Sequence, residues 1–319
     1  MTTWIVTPVY RDVRSFRILR EHVLEELAKP ASVETGEVKF AVIDDTAGQD
    51  PEIESLHEFD DVTILQPPFN LGHQRALVYA LRKILPRIGD EDYVVTLDAD
   101  GEDRPSDLPR LLAALQGDAR EQQQVALALR TKRRESLAFK LMYRLFRLLF
   151  RGLTGTTVRS GNFAAMPGSV ARRLLLHPTF DLAYSSAILA LDIPVVFVPC
   201  ERGRRYEGDS KMTFGRLAMH GLRMLMPFTD RIAIRALAVF AASLVLGTLL
   251  ALTVVGIKLF SGSAIPGWAS FTALGALIVS LVALGNFVSL FVLFSQTRAV
   301  SLASIEDLTE NETDSVPRP

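Results

Sequence analysis

At 319 residues the chain has room for one catalytic domain of about 200–230 residues and a membrane module. Its net charge of −1 hides a segregation: the first hundred residues lean acidic, residues 130–159 carry nine Lys/Arg against the single acid Glu135, residues 202–235 are again mostly basic, and the tail from Glu306 is acidic. That asymmetry points to an anionic partner such as phosphate, nucleotide or a membrane surface, while the lone Cys200 excludes a disulfide scaffold and, with no Cys/His companion at metal-ligand spacing, reads as structural.

Met1–Val9 has no basic leader and a short apolar run, so Thr3–Val9 is predicted as a strand and the first domain is expected to stay cytoplasmic. Ser15–Leu27 has helical spacing. Val38–Ile43 is a second apolar strand that stops at Asp44-Asp45, and Val62–Leu65 a third. Asn70-Leu-Gly72 opens a helix running through Leu85. Tyr93–Leu97 is a strand ending at Asp98, Ser106–Leu115 is helical and Val125–Leu129 is a strand. Strands alternating with helices predict an α/β class with a mostly parallel, Rossmann-like sheet. Ligands in such sheets bind beyond the carboxyl ends of the strands, where Asp44-Asp45 and Asp98-Ala-Asp100 both fall.

Ser136–Leu153 is basic and amphipathic, with Lys140, Arg144, Arg147 and Arg151 on one stripe and Leu141, Leu145, Leu148 and Leu149 opposite. Met212–Phe228 has a similar pattern, and both are expected to lie on anionic lipid. No charge occurs between Arg235 and Lys258, a stretch of roughly 33 Å as a helix, and a second uncharged stretch runs from Trp268 to Thr297. The expectation is a two-span hairpin (about 235–258 and 268–296). Arg223, Arg231, Arg235 and Arg298 flank it on the outside, so the positive-inside rule places the large domain and both termini in the cytoplasm. The expected domains are 1–210 catalytic, 211–230 juxtamembrane, 231–298 transmembrane and 299–319 an acidic tail.

Asp98 and Asp100 at a strand end are suited to one divalent cation, Mg2+ or Mn2+, shared with substrate phosphates, and Glu102 and Asp103 follow closely enough to add a ligand. Arg130 and Arg133 after one strand end, and Arg205, Ser210 and Lys211 in another basic loop, are the cations expected at a lipid phosphate. The five histidines show no metal-ligand pair and none is expected to be catalytic, His73 being the least settled.

These residues form an ordered set: Thr7-Pro-Val-Tyr-Arg-Asp12, Val42-Ile-Asp-Asp-Thr46, Asn70-Leu-Gly-His-Gln-Arg-Ala76, Leu97-Asp-Ala-Asp-Gly-Glu-Asp-Arg-Pro105, Gly161-Asn-Phe163 and Arg205-Tyr-Glu-Gly-Asp-Ser-Lys211. The set resembles the family 2 nucleotide-sugar glycosyltransferases of GT-A fold, in their polyprenyl-phosphate branch of dolichyl-phosphate mannosyltransferases and undecaprenyl-phosphate glucosyltransferases. The resemblance implies that Pro8, Tyr10, Asp12 and Asp44 or Asp45, with Asn70 and Gly72, bind the nucleotide-sugar. It also implies that Asp98, Asp100 and the residue at the family's Gln position, here Glu102, hold the metal. Departures are Arg11 for Asn, Asp12 for Glu, Thr46-Ala-Gly for Gly-Ser, and Glu102 itself.

The implied reaction is inverting transfer of a sugar from a UDP- or GDP-linked donor to a polyprenyl phosphate at the cytoplasmic membrane face. A phosphate acceptor, with its second pKa near ~6, needs little general-base help, whereas a lipid hydroxyl needs a base, for which Asp181 is the residue singled out. The alternatives are transfer to a lipid hydroxyl such as diacylglycerol, and a silent nucleotide-binding membrane subunit. No nucleic-acid partner is expected, and a homo-oligomer is compatible with the sequence.

Overall fold

The computed structural model describes residues 1–29, 34–116, 123–130, 137–157, 160–177, 180, 183–207, 214–260 and 267–296. They cluster into two compact units, Met1–Leu145 with Thr157–Pro227 and Phe146–Thr156 with Phe228–Ala299.

The first unit is built on a seven-stranded sheet: β1 (Thr2–Val9), β2 (Glu37–Asp44), β3 (Val62–Leu65), β4 (Tyr93–Thr96), β5 (Val125–Arg130), β6 (Ser160–Pro167) and β7 (Val195–Cys200). Their order is β3-β2-β1-β4-β6-β5-β7. Strands β1 to β5 and β7 run one way and β6 runs against its neighbours β4 and β5. The α/β expectation with a mostly parallel sheet therefore holds, and β6 is the strand that propensity does not announce. Its sequence Ser-Gly-Asn-Phe-Ala-Ala-Met-Pro is poor in β-branched residues, so pairing on both sides sets it rather than local preference.

Alternation along the strands explains the layers. Trp4 and Val6 of β1 with Ala41 and Ile43 of β2 face one apolar cluster, and Ile5, Phe40 and Val42 face another. Successive side chains of a strand point to opposite faces, so a strand buried on both sides, as Tyr93–Thr96 is, must be apolar or have its polar groups paired inside, as the Thr96 hydroxyl is. The first cluster is covered by α2 (His73–Ile84), α5 (Gly168–Leu175) and α6 (Tyr184–Ala190), the second by α1 (Val13–Leu27) and α3 (Leu108–Ala113). On α1 the buried Val13, Phe16, Leu19 and Val23 make one stripe, each worth about 1.5–3 kcal/mol of burial. Helix α2 begins at His73 rather than at Asn70, because the Asn70 amide donates to Asp45 O (2.6 Å) and Leu71 N donates to Asp45 Oδ1 (2.7 Å), which holds that segment as a loop.

Helices α4 (Leu137–Thr154) and α7 (Phe214–Leu225) agree closely with the two amphipathic stretches read from the sequence. In the second unit α8 (Thr229–Phe260) and α9 (Trp268–Gln296) pack on each other, with Phe240 stacked on Phe287 at 6.5 Å and Gly247 placed against Ala276. Phe150 packs edge-on against Phe228, and the Arg235 guanidinium donates to Arg151 O at 3.1 Å. Both helices are long and apolar enough to cross a membrane. Their large apolar side chains, Leu249, Leu252 and Phe271 among them, point outward. A soluble core helix hides such residues; an outward apolar surface on this scale marks a membrane or partner-binding face.

Candidate active site

The sheet order reverses direction between β1 and β4, and the crevice opens at their carboxyl ends. Four loops meet there: Pro8–Asp12 after β1, Asp44–Gly48 after β2, Leu97–Arg104 after β4 and Glu201–Tyr206 after β7. Because β6 is antiparallel, its starting residues Gly161 and Asn162 also reach this edge. The N-terminus of α2 adds His73 and Gln74.

The loop after β4 is held from both sides. Asp98 N donates to the buried Asp103 carboxylate (3.2 Å) and Glu102 N donates to Asp100 Oδ1 (2.9 Å). The loop after β7 docks on it through Gly203 N to Glu102 O and Tyr206 N to Asp100 O, both 2.8 Å. The approach is too close for side chains at either glycine. Gly101 has φ +85°, and a Cβ there meets the Tyr206 ring at 2.8 Å; a Cβ on Gly203 runs into Gly101 O. Docking carries Arg205 to the carboxylates: its guanidinium lies 2.9 Å from Asp100 Oδ2, and its Nε donates to Glu102 Oε1 at 3.0 Å. The other Glu102 oxygen accepts from Arg202.

On the opposite side of Asp98, His73 Nε2 lies 2.8 Å from Asp98 Oδ1. The His73 side chain is 39% exposed, yet its Nε2 is itself inaccessible, so the charged end of the ring faces the carboxylates. Burial works to lower the His73 pKa, but Asp98, then Asp103 and Asp100, more than offset it, and the net shift is upward. Asp100 is also shifted up, first by burial and then by the Asp98 charge, against the pull of Arg205. Glu102 goes down: its two arginines outweigh the effect of its burial.

Behind these residues runs a polar brace. Thr96 Oγ1 donates to Asn162 O (2.6 Å), so the Tyr184 hydroxyl 2.8 Å away donates to Thr96. Gln74 donates to the Asn162 side chain and accepts from Ser185 N at 3.3 Å. The start of β6 is thereby tied to α2, β4 and α6.

The residues predicted for the nucleotide-sugar fall into two groups. Pro8 is the penultimate residue of β1 and Tyr10 and Asp12 follow its end, with Tyr10 48% exposed and Arg11 in the left-handed region at φ +52°. Asp44, Asp45, Asn70 and Gly72 are committed to the scaffold. Asp44 is buried and accepts from Thr46 N (3.0 Å) and Gly48 N (2.8 Å), closing its own turn, while Asp45 anchors the loop before α2. Burial raises the Asp45 pKa, and the Leu71 and Gly72 amides pull it back in part.

Asp98 and Asp100 sit together at the expected edge. Glu102, the third expected metal ligand, faces Arg202 and Arg205. Among the described residues no three His, Cys, Asp or Glu side chains form a metal cage. The pair still fits a cation, since Mg2+-type sites use one or two carboxylates plus substrate phosphates, and a cation would offset the burial and then the Asp98 charge that raise the Asp100 pKa. Arg205, expected at a lipid phosphate, is ion-paired at the carboxylates, where backbone docking of its loop puts it. Arg133, Asp181, Ser210, Lys211 and the side chain of Arg130 lie outside the described residues. Reasoning from sequence passed over His73 and Arg202; the only signal for His73 was its place inside the Asn70–Ala76 motif. Cys200 is structural as expected, buried with its thiol pushed up to about 12 by burial and by Asp107.

A mostly parallel sheet with paired aspartates and docked arginines at the strand-reversal crevice describes a nucleotide-sugar transferase of GT-A type. The model of the family "Glycosyl transferase family 2" matches residues 4–175, and the chain belongs to that family. It is similar to an undecaprenyl-phosphate 4-deoxy-4-formamido-L-arabinose transferase of Pectobacterium carotovorum subsp. carotovorum (strain PC1), 26% identical over 314 residues, covering 89% of this chain and 87% of the relative. It is also similar to the enzyme of that name from Enterobacter sp. (strain 638), 30% identical with 62% of each chain covered. Among solved structures, glucosyl-3-phosphoglycerate synthase from Mycobacterium tuberculosis, in complex with Mn2+, UDP and glucosyl-3-phosphoglycerate, is 18% identical with a TM-score of 0.47, covering 72% of this chain and 80% of that one.

Proposed function

We propose that this glycosyltransferase moves a sugar from a nucleoside-diphosphate donor onto the phosphate of a polyprenyl lipid, with inversion at the anomeric carbon, on the cytoplasmic face of the membrane. The observation that carries the reading is the Asp98–Asp100 pair at the strand-reversal crevice, with Arg205 docked beside it, in a chain that also bears two outward-apolar helices. The names of the relatives, undecaprenyl-phosphate sugar transferases, support the acceptor class.

Asp98 and Asp100 are the residues that would hold a Mg2+ or Mn2+ ion, which neutralises the departing diphosphate when bound. Tyr10, exposed at the β1 end, supplies a ring face for the base. Arg205 faces the same phosphates. The acceptor phosphate is largely a dianion at neutral pH and attacks without a dedicated base, so Asp181 is not required by this chemistry. The exposed Arg144 and Arg223 on α4 and α7 suit an anionic lipid surface, Lys140 and Arg216 completing the pattern in sequence. Arg231, Arg235 and Arg298 around the hairpin set the cytoplasmic orientation.

The test is transfer of radiolabelled sugar into the organic phase from a panel of UDP- and GDP-sugars, using full-length protein, undecaprenyl phosphate and Mn2+ or Mg2+. Label that enters the lipid with one donor and is lost with EDTA or Asp100→Asn supports the reading. Nucleotide binding without lipid labelling from any donor contradicts it.

A further inference from the structure

Glu102 stands two residues beyond Asp100, where a third metal ligand is expected, yet both of its oxygens are taken by arginines from another loop. The arrangement has three linked parts. Arg205 Nε is fixed by Glu102 Oε1 at 3.0 Å while the guanidinium lies 2.9 Å from Asp100 Oδ2, which sets the plane of the fork at two points. Arg202 takes the second Glu102 oxygen, so one carboxylate meets two cations 100 and 103 residues away in sequence. The backbones repeat the contact, Gly203 N to Glu102 O and Tyr206 N to Asp100 O. A guanidinium has five N–H donors, and the two contacts at Asp100 and Glu102 leave the rest of the Arg205 fork for an incoming phosphate oxygen.

We propose that Glu102 is a positioning residue: it clamps Arg205 in the orientation that meets a substrate phosphate, with Arg202 as its charge balance, and it is not a ligand of the metal. This rests on the reading of the site as a nucleoside-diphosphate-sugar site. Without the clamp, Arg205 keeps Asp100 as its one anionic contact, neutralises a carboxylate needed for the cation, and loses its fixed plane. Glutamine in place of Glu102 can still accept from one arginine but removes the negative charge that the two share. The side chain of Glu102 is only 13% exposed, so solvent screens the two pairs little.

Two measurements on the full-length protein test this. The first is hydrogen exchange of residues 201–206 in EDTA, where no metal contributes. Glu102→Ala is expected to speed exchange of the Gly203 and Tyr206 amides by about tenfold, and Arg202→Gln by less, since hydrogen bonds to charged groups are worth about that much. The second is calorimetric binding of UDP and GDP with Mn2+. Glu102→Ala and Arg205→Gln are each expected to weaken binding about tenfold, and the double variant to be no weaker than Arg205→Gln alone.

Exchange unchanged by Glu102→Ala in EDTA, together with a higher Mn2+ requirement in Glu102→Ala but not in Arg205→Gln, overturns the proposal and restores Glu102 as a ligand. Failure of the wild type to bind either nucleoside diphosphate overturns the reading of the site instead, and the exchange measurement still decides whether Glu102 clamps the loop.

Discussion

His73 Nε2 lies 2.8 Å from Asp98 Oδ1, so the first residue of α2 and the first carboxylate after β4 form an ion pair when the imidazole is protonated. The pair ties the Asn70–Ala76 motif to the Asp98–Asp100 motif, two sequence features separated by some twenty residues of helix and strand.

A pH dependence follows with a defined sign. The folded pKa of His73 is raised above its usual 6.5, so its contribution to stability is fully present below about 6.5 and is lost as pH rises through the folded value. The melting-temperature difference between wild type and His73→Gln is expected to be largest near pH 6 and to shrink toward pH 9. A difference that grows with pH contradicts the ion pair.

Asp100 shifts in the same direction but through an acid whose charged form is the disfavoured one. Its raised folded pKa means that the ionised carboxylate costs stability at neutral pH, and the cost disappears below the unfolded value of 3.8. Asp100→Asn is therefore expected to be at least as stable as wild type at pH 7 in EDTA, with the advantage fading in acid, while transfer activity is lost. That pattern of stability traded against function is checked by thermal melts beside the lipid-labelling assay.

Asp44 separates scaffold from ligand. Asp44→Ala strands the Thr46 and Gly48 amides in a buried turn and is expected to cost about 2–4 kcal/mol by urea titration. Asp12→Ala, half-buried with no side-chain cap on α1, is expected to cost less than about 0.5 kcal/mol. Equal costs for the two contradict the assignment of Asp44 to the turn.

Gly203 tests the docking of the two loops. An added Cβ collides with the Gly101 carbonyl, a backbone atom with nowhere to move. Gly203→Ala is expected to displace Arg205 and lower kcat/KM for transfer on the order of 100-fold, the scale of a misplacement near 1 Å. An alanine variant of wild-type activity contradicts the role given to the docked loop.

Much of this was legible in the sequence where pattern and period carry the signal. Val62–Leu65 was read to the residue, β1, β2, β4 and β5 to within one, and both amphipathic helices to within three or so residues at either end. The two apolar helices were legible from length and charge alone. Strand β7 also escaped, although its Val-Val-Phe-Val run is a local strand signal; the rest of what escaped depends on contacts distant in sequence. Strand β6 carries Gly161, Asn162 and Pro167, weak strand formers whose conformation comes from β4 and β5. Asp44 and Asp45 look alike on paper, but one closes its own turn and the other holds the start of α2. Glu102 reads from the sequence as a metal ligand beside Asp100, and its contacts with Arg202 and Arg205 come from a loop about a hundred residues away.

The central claim is that the sugar becomes bonded to a lipid phosphate, and the linkage of the product tests it most directly. The phosphorus NMR spectrum of lipid recovered after transfer to undecaprenyl phosphate is expected to show a phosphodiester coupled to the anomeric proton, with the anomeric configuration opposite to that of the donor. A sugar recovered on a lipid hydroxyl, with the phosphorus signal unchanged, contradicts the claim, and a phosphodiester of retained configuration contradicts the in-line inverting step.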